Sequence, residues 1–309
     1  MNDDAPLIQA VGLRKTYGAF TAVDGIDVAV APGESFGFLG PNGAGKTSTM
    51  RIIACTSPAT GGTVRVLGMD PATDASRIKA QLGVVPQEDT LDNDLTVTEN
   101  LLVYGRYFGL PRATVRERAA ELLEFAQLVD KRDELVENLS GGMKRRLTIA
   151  RGLINTPRIL LLDEPTTGLD PQARHILWDR LFRLKREGVT LVLTTHYMDE
   201  AEQLCDRLVV MDAGRIVAEG SPRALIREHA SREVLELRFD VADHAERADD
   251  VAGIGRVEVL ADRLLLYVED GDAALEQVTA RGVHPMSSLV RRASLEDVFL
   301  RLTGRSLIE

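Results

Sequence analysis

Gly40-Pro41-Asn42-Gly43-Ala44-Gly45-Lys46-Thr47, followed by Ser48, is the stretch that decides the fold. It follows a short apolar run, Glu34 to Leu39, that reads as a strand, and it precedes a helical pattern from Thr47 through Ala54. The spacing of its glycines, lysine and threonine is that of a phosphate-binding loop. Glycine allows positive φ, so successive backbone N–H groups close around phosphate oxygens, and the helix N-terminus adds partial positive charge. In such a loop Lys46 reaches the β- and γ-phosphates, and the Thr47 hydroxyl binds Mg²⁺. Strand, loop and helix together predict an α/β nucleotide-binding core.

Arg158-Ile159-Leu160-Leu161-Leu162-Asp163-Glu164-Pro165 puts two adjacent carboxylates at the end of an apolar strand. Packing alone gives no reason for them, because unpaired buried charge is costly; a cation or a reacting group does. Ligands of open α/β sheets sit beyond the carboxyl ends of the strands. Asp163 therefore suits the Mg²⁺ shell, and Glu164 suits a base for an attacking water. Leu139-Ser140-Gly141-Gly142-Met143 opens a helical run from Lys144 to Leu153. Ser140 is a natural N-cap; such a start is more often just a cap, but exposed N–H groups at a glycine-rich helix start would make a second anion site.

Outward from these motifs, residues 7 to 15 and 21 to 30 alternate apolar and polar positions around a Tyr17-Gly18 turn, which reads as an antiparallel pair. Strands are expected at Thr63 to Leu67 and Leu82 to Val85. Residues 97 to 130 switch to helical spacing, broken at Gly109-Leu110-Pro111, and predict a helical subdomain over about 88–155. Parallel-sheet runs return at Ile159 to Leu162 and Val189 to Thr194, separated by a helix from Pro171 to about Lys185. A short helix opens at Ser221-Pro222 and ends near His229. The domain boundary is expected there, giving a nucleotide-binding domain over 1–228 and an accessory domain over 229–309. The tail reads as strand 233 to 241, helix 243 to 251, strands 256 to 260 and 263 to 268, helix 271 to 281, strand 283 to 291 and helix 294 to 303. That order predicts a small ferredoxin-like or related α+β sandwich.

At 309 residues and 33.8 kDa, the chain has room for one large core and one smaller unit. Its 44% hydrophobic and 27% charged content describes a globular chain. No apolar run approaches the roughly 18–20 residues that cross a bilayer, so any membrane role belongs to a partner. The start, Met-Asn-Asp-Asp-Ala-Pro, has neither the basic end nor the apolar stretch of a secretory signal, which predicts a cytoplasmic chain. Cys55 and Cys205 fit no disulfide framework or metal spacing and are expected as buried thiols. A net charge of −10 argues against nucleic acid as the main partner, with Lys144-Arg145-Arg146 a local basic exception.

With its Leu-Ser-Gly-Gly-Met stretch, the chain resembles the ATP-binding cassette (ABC) family over residues 7 to about 228. The family's signature at this place ends in Gln rather than Met143. The resemblance implies a P-loop fold with a RecA-like core, an antiparallel β subdomain and a helical subdomain. Tyr17 looks like the aromatic that stacks on adenine. Gln87, in Val85-Pro86-Gln87, looks like the glutamine that joins Mg²⁺ and the attacking water to the helical subdomain. Gly168-Leu169-Asp170 resembles the loop that crosses between subunits, and His196 resembles the histidine that contacts the γ-phosphate. A lone histidine is more often structural; its place after a strand, in Thr194-Thr195-His196, favours the functional role.

Within the family, Leu139 to Thr148, Asp170 to His175 and Leu295 to Gly304 are similar to the drug-resistance and nodulation export branch, where Met143 is an accepted variant. Glu88 stands where that branch carries an apolar residue. The resemblance implies ATP and Mg²⁺ as ligands, a second copy of the chain and a separate multi-spanning membrane permease as partners, and a place on the cytoplasmic face of the membrane. ATP on one chain's loop is then completed by Ser140, Gly141, Gly142 and Asp170 of the other. The exported drug, antibiotic, lipid or lipo-oligosaccharide contacts the permease rather than this chain. The alternative is a non-transport cassette ATPase of translation or DNA repair, which would carry two cassettes or a long coiled-coil insert; neither is present in the sequence.

Overall fold

Apolar runs without polar alternation, Phe36 to Leu39, Ile159 to Leu162 and Leu191 to Leu193, are buried on both faces and form the middle of a parallel sheet. The computed structural model describes residues 5–240 and 245–304. The chain runs through β1 (Ile8–Tyr17), β2 (Phe20–Val30), β3 (Ser35–Leu39), α1 (Lys46–Ile53), β4 (Gly61–Val66), α2 (Ala75–Lys79) and β5 (Leu82–Val85). Three helices follow: α3 (Val97–Tyr107), α4 (Arg112–Ala126) and α5 (Gly141–Gly152). Then come β6 (Ile159–Asp163), α6 (Pro171–Arg186), β7 (Thr190–Thr195), α7 (Met198–Leu204) and the hairpin of β8 (Arg207–Asp212) and β9 (Arg215–Gly220).

The six-stranded sheet has the order β5-β6-β7-β3-β8-β9, and its β5·β6, β6·β7, β7·β3 and β3·β8 pairs are parallel. A separate antiparallel sheet, β2-β1-β4, packs over α1. Ile8, Leu13, Val28, Phe36, Phe38, Ile52, Ile53, Leu161 and Val209 belong to the one core that these layers share. A second core, built on Val97, Leu101, Ala119, Leu123, Leu139 and Leu147, holds α3, α4 and α5 together as the helical subdomain. Gly105 makes that packing possible, since a Cβ there would lie 2.6 Å from Val115. No helix among the described residues is long and apolar enough to cross a membrane.

The two compact units of the chain divide at Glu219/Gly220, ahead of the expected 228/229. The reason is α8 (Pro222–His229), which packs on α11 (Leu295–Thr303) of the tail, where Arg301 donates to the His229 carbonyl at 2.8 Å. Between α8 and α11 lie β10 (Glu233–Arg238), α9 (Ala245–Ala248) with a 3₁₀ turn at Asp249–Val251, β11 (Arg256–Val259), β12 (Leu264–Val268), α10 (Gly271–Ala280) and β13 (Ser287–Arg292). The fully antiparallel order β11-β12-β10-β13 is the split βαββαβ arrangement expected of a ferredoxin-like unit. The expected starts at Met1–Asp4 and near 243, and the expected strand end at 241, lie outside the described residues.

Two expectations about local structure change. The last strand begins at Ser287 rather than 283, because the Val283 amide closes α10 on the Val278 carbonyl at 3.2 Å and Pro285 has no N–H for a ladder. Cys205 is buried, but Cys55 is only half-buried, at a positive-φ position just beyond α1. In addition, α2, α7 and the β8–β9 hairpin occupy stretches where no element was expected.

Candidate active site

The parallel strands place the site. The chain leaves the carboxyl ends of β5, β6, β7 and β3 at Gln87, Asp163-Glu164, His196 and the Gly40 loop respectively, so groups far apart in sequence emerge along one edge of the sheet. The loop itself is built for close backbone approach. A Cβ on Gly40 would lie 2.2 Å from the Met211 carbonyl, and one on Gly45 would lie 2.3 Å from the Ala22 carbonyl. Gly45 also has φ 100°, a left-handed conformation that other residues rarely adopt, as it enters α1. No side chain caps α1, and its first turn has no acidic residue, which leaves its leading N–H groups to an anion.

Lys46 is 4% exposed. Its ammonium donates to the carbonyls of Gly40 at 2.6 Å and Pro41 at 3.0 Å, and Glu164 Oε1 lies 3.9 Å away. Burial pulls its pKa below the usual lysine range, opposed by the charges of Glu164 and Asp163. The Thr47 hydroxyl donates to Asp163 Oδ1 at 3.3 Å, and the Thr194 hydroxyl donates to the same oxygen.

Glu164 is the centre of convergence. It is 5% exposed and holds φ 44°, an uncommon value for a residue with a Cβ, pinned by its N–H on the carbonyl and hydroxyl of Thr194, each at 3.1 Å. Its Oε2 accepts from the Gln87 amide at 3.0 Å and from the Thr167 hydroxyl at 3.1 Å. His196 Nδ1 lies 3.1 Å from its Oε1 without the alignment of a hydrogen bond.

Tyr17 stands 45% exposed at the mouth of the same cleft, which Pro41, Asn42, Gly43, Ala44, Gly45 and Ser48 help to line. The Ser48 hydroxyl beside its phenol lowers its pKa, and Lys15 stacks over its ring at 4.8 Å. Phe20, opposite Tyr17 in the β1–β2 register and 61% exposed, lines the cleft too. Sequence reasoning passed over it, although an exposed aromatic on each side of a Gly-Ala turn was a usable signal.

Ser140 and Asp170 stand elsewhere. Ser140 caps α5, with its hydroxyl accepting from the Met143 amide at 3.3 Å, and Asp170 caps α6 by accepting from the Ala173 amide at 2.8 Å. A Cβ on Gly142 would meet Ala173 at 3.6 Å, so the two caps are neighbours, while Gly141 faces open space. No hydrogen bond among the described residues ties Ser140, Gly141, Gly142 or Asp170 to Lys46, Gln87 or the Glu164 carboxylate. The basic run does not form one patch either. Lys144 reaches Asn93 Oδ1 at 3.2 Å, Arg146 reaches the Ala126 carbonyl at 2.8 Å, and Arg145 is 8% exposed.

A parallel sheet that delivers a phosphate loop, paired carboxylates, a glutamine and a histidine to one edge, beside a helical subdomain opening on Ser-Gly-Gly, defines a P-loop ATPase of the ATP-binding cassette type. Residues 23–167 match the family model for the ABC transporter, and residues 242–304 match that for the nodulation factor export protein NodI C-terminal domain. The chain belongs to the ATP-binding subunits of ABC transporters and is an enzyme that hydrolyses ATP to drive transport.

It is 50% identical to the Nod factor export ATP-binding protein I of Paraburkholderia xenovorans, over 96% of both chains. The protein of the same name from Ralstonia nicotianae is 49% identical over 98% of this chain and 95% of its own. Among solved structures, an ATP-binding subunit of an ABC transporter superposes with TM-score 0.66 at 29% identity, covering 72% of this chain and 92% of its own. A dimeric ATP-binding cassette in a post-hydrolysis state, bound to ADP and Pi, gives TM-score 0.65 at 27% identity, covering 69% of this chain and 98% of that one.

Proposed function

We propose that the chain energises export of an amphipathic compound of the lipo-oligosaccharide type through a separate multi-spanning permease, working as a pair of copies on the cytoplasmic face of the membrane. The observation that carries the hydrolytic part is the buried Glu164 carboxylate, ringed by Gln87, Thr167, Lys46 and His196 in one chain. A carboxylate held among donors at the end of β6 can take a proton from an attacking water. Gln87 aligns that water and the carboxylate, Lys46 neutralises charge on the γ-phosphate, His196 contacts it, and the backbone of Gly40 to Ser48 cradles the phosphates while Tyr17 stacks on adenine.

Thr47, Asp163 and the Gln87 amide oxygen offer the oxygen donors that suit Mg²⁺. No group of three or more His, Cys, Asp or Glu side chains able to hold a metal gathers among the described residues, in keeping with an ion held largely by substrate phosphates. When bound, the ion offsets charge that develops on the β- and γ-phosphate oxygens.

Ser140, Gly141, Gly142 and Asp170 serve the partner's nucleotide, a reading supported by their absence from the lining of the cleft that holds Lys46 and by similarity to a cassette solved as a dimer. A groove of about 1130 Å³ between Leu82–Val84, residues 90–95 and the aromatic face of α3, with Tyr107 77% exposed, supports docking of the membrane partner near residues 87 to 110. The export names of relatives matching over nearly the whole chain favour a Nod factor-like cargo over a drug or antibiotic, and disfavour the translation or DNA-repair alternative.

The test is Glu164→Gln. It should retain ATP binding, measured with a fluorescent nucleotide, while turnover falls by about 10²-fold or more, the scale of removing an essential acid–base group. Turnover within a few-fold of wild type rejects Glu164 as the base.

A further inference from the structure

The basic run at residues 144–146 leaves one cation for which surface charge has no use. Arg145 sits in α5, five residues after Ser140, and its guanidinium is buried. Nε donates to the Pro165 carbonyl at 2.8 Å. Nη1 donates to the carbonyls of Pro86 and, at 3.3 Å, Gln87. Nη2 donates to those of Asp163 at 2.9 Å and Glu164 at 3.1 Å. All five N–H groups of the side chain are therefore used, and every acceptor is backbone. The acceptors fall at two places only: the loop that presents Gln87 after β5, and the end of β6 with the loop that presents Glu164.

A guanidinium is a rigid planar fork, so its five bonds fix the two loops relative to each other and to α5. Glu164 needs such support, because its φ of 44° persists only where the surroundings over-determine it. The Ser140 cap and this fork lie on the same helix. One side chain therefore joins the helix that Ser140 caps to both loops.

We propose that Arg145 is a positioning residue for hydrolysis, setting Gln87 and Glu164 in register and linking them mechanically to the Ser140 end of α5. The proposal rests on the reading of Glu164 and Gln87 as the hydrolytic pair. It assigns Arg145 no contact with nucleotide.

The test uses the full-length chain as Arg145→Lys, Glu164→Gln and the double variant, with ATPase kinetics and fluorescent-nucleotide affinity measured on each. Lysine keeps the charge but has three N–H donors on one atom, and cannot serve five carbonyls in two loops. The expected result is a kcat lowered by about 10- to 100-fold, the cost of misplacing reacting groups by around an ångström. KM and nucleotide affinity should stay within about threefold, since the loss is confined to the transition state. In the Glu164→Gln background Arg145→Lys should cause no further loss, because residues acting through one group are not additive.

A kcat near wild type, a loss shared equally by nucleotide affinity, or a fully additive loss in the double variant overturns the proposal. An active Arg145→Lys beside an inactive Glu164→Gln defeats the positioning role alone. An active Glu164→Gln removes the underlying reading of Glu164 instead. If Arg145→Lys is not recovered folded, Arg145→Gln, with a planar head and two N–H donors, replaces it under the same readouts.

Discussion

Single side chains in this molecule are set by what surrounds them more than by what they are. Glu164 and Glu200 are both buried glutamates, yet only Glu164 has donors aligned on its carboxylate. Glu200 is fully buried in α7, and both its carboxyl oxygens lack an aligned partner, although the Thr195 and Thr166 hydroxyls and the Trp178 indole lie around it. Burial pushes its pKa from 4.5 up to about 7. The sign follows from linkage. Below the unfolded value both states hold the proton and the group costs nothing; as pH rises toward 7 only the unfolded state releases it, and stability falls. The loss amounts to about 3 kcal/mol at the plateau. Glu200→Gln removes this linkage, so its unfolding midpoint should fall less than the wild type's between pH 5 and pH 8. Parallel pH curves for the two proteins would exclude Glu200 as the source.

At the scale of elements, α11 shows how a short helix is anchored. Ser294 and Asp297 form a capping box, and Arg291 of β13 donates to both Asp297 oxygens, at 2.7 and 2.9 Å. Burial works to raise the Asp297 carboxyl, but the Arg291 guanidinium and the Ser294 amide and hydroxyl bring it below its ordinary 3.8. Its contribution is therefore present above the normal carboxylate range and lost as pH falls through the lowered value. Asp297→Ala leaves Arg291 with Glu236 as its remaining partner and opens the cap, at a cost of about 1–2 kcal/mol to the tail unit. Urea unfolding followed by hydrogen exchange on β10 and β13 checks it; unchanged protection there would mean the pair contributes nothing net.

The helix itself was expected over 294 to 303. The Arg291 fork was not, because it depends on which strand lies beside the helix start.

For the whole molecule, the central fact is that Ser140 does not line the cleft that holds Lys46. If the sites are completed by exchange between copies, mixing Ser140→Arg chains with Lys46→Ala chains forms heterodimers that carry one intact site and one doubly damaged site. ATPase activity should then exceed that of either variant alone. No recovery on mixing, with dimer formation verified, would refute completion in trans.

The amino-acid sequence by itself determined the phosphate loop, the paired carboxylates, the parallel core and the βαββαβ tail. Each of these is written locally, in glycine spacing, in carboxylates that end an apolar run, or in a period of side-chain burial. Only the tertiary structure decided that α8 packs with the tail, that Phe20 shares the cleft with Tyr17, and that Arg145 is a buried link between two loops rather than part of a basic surface. Those outcomes rest on contacts between residues far apart in the chain, and hydrophobic periodicity carries no record of which carbonyls a guanidinium will find once the strands are side by side.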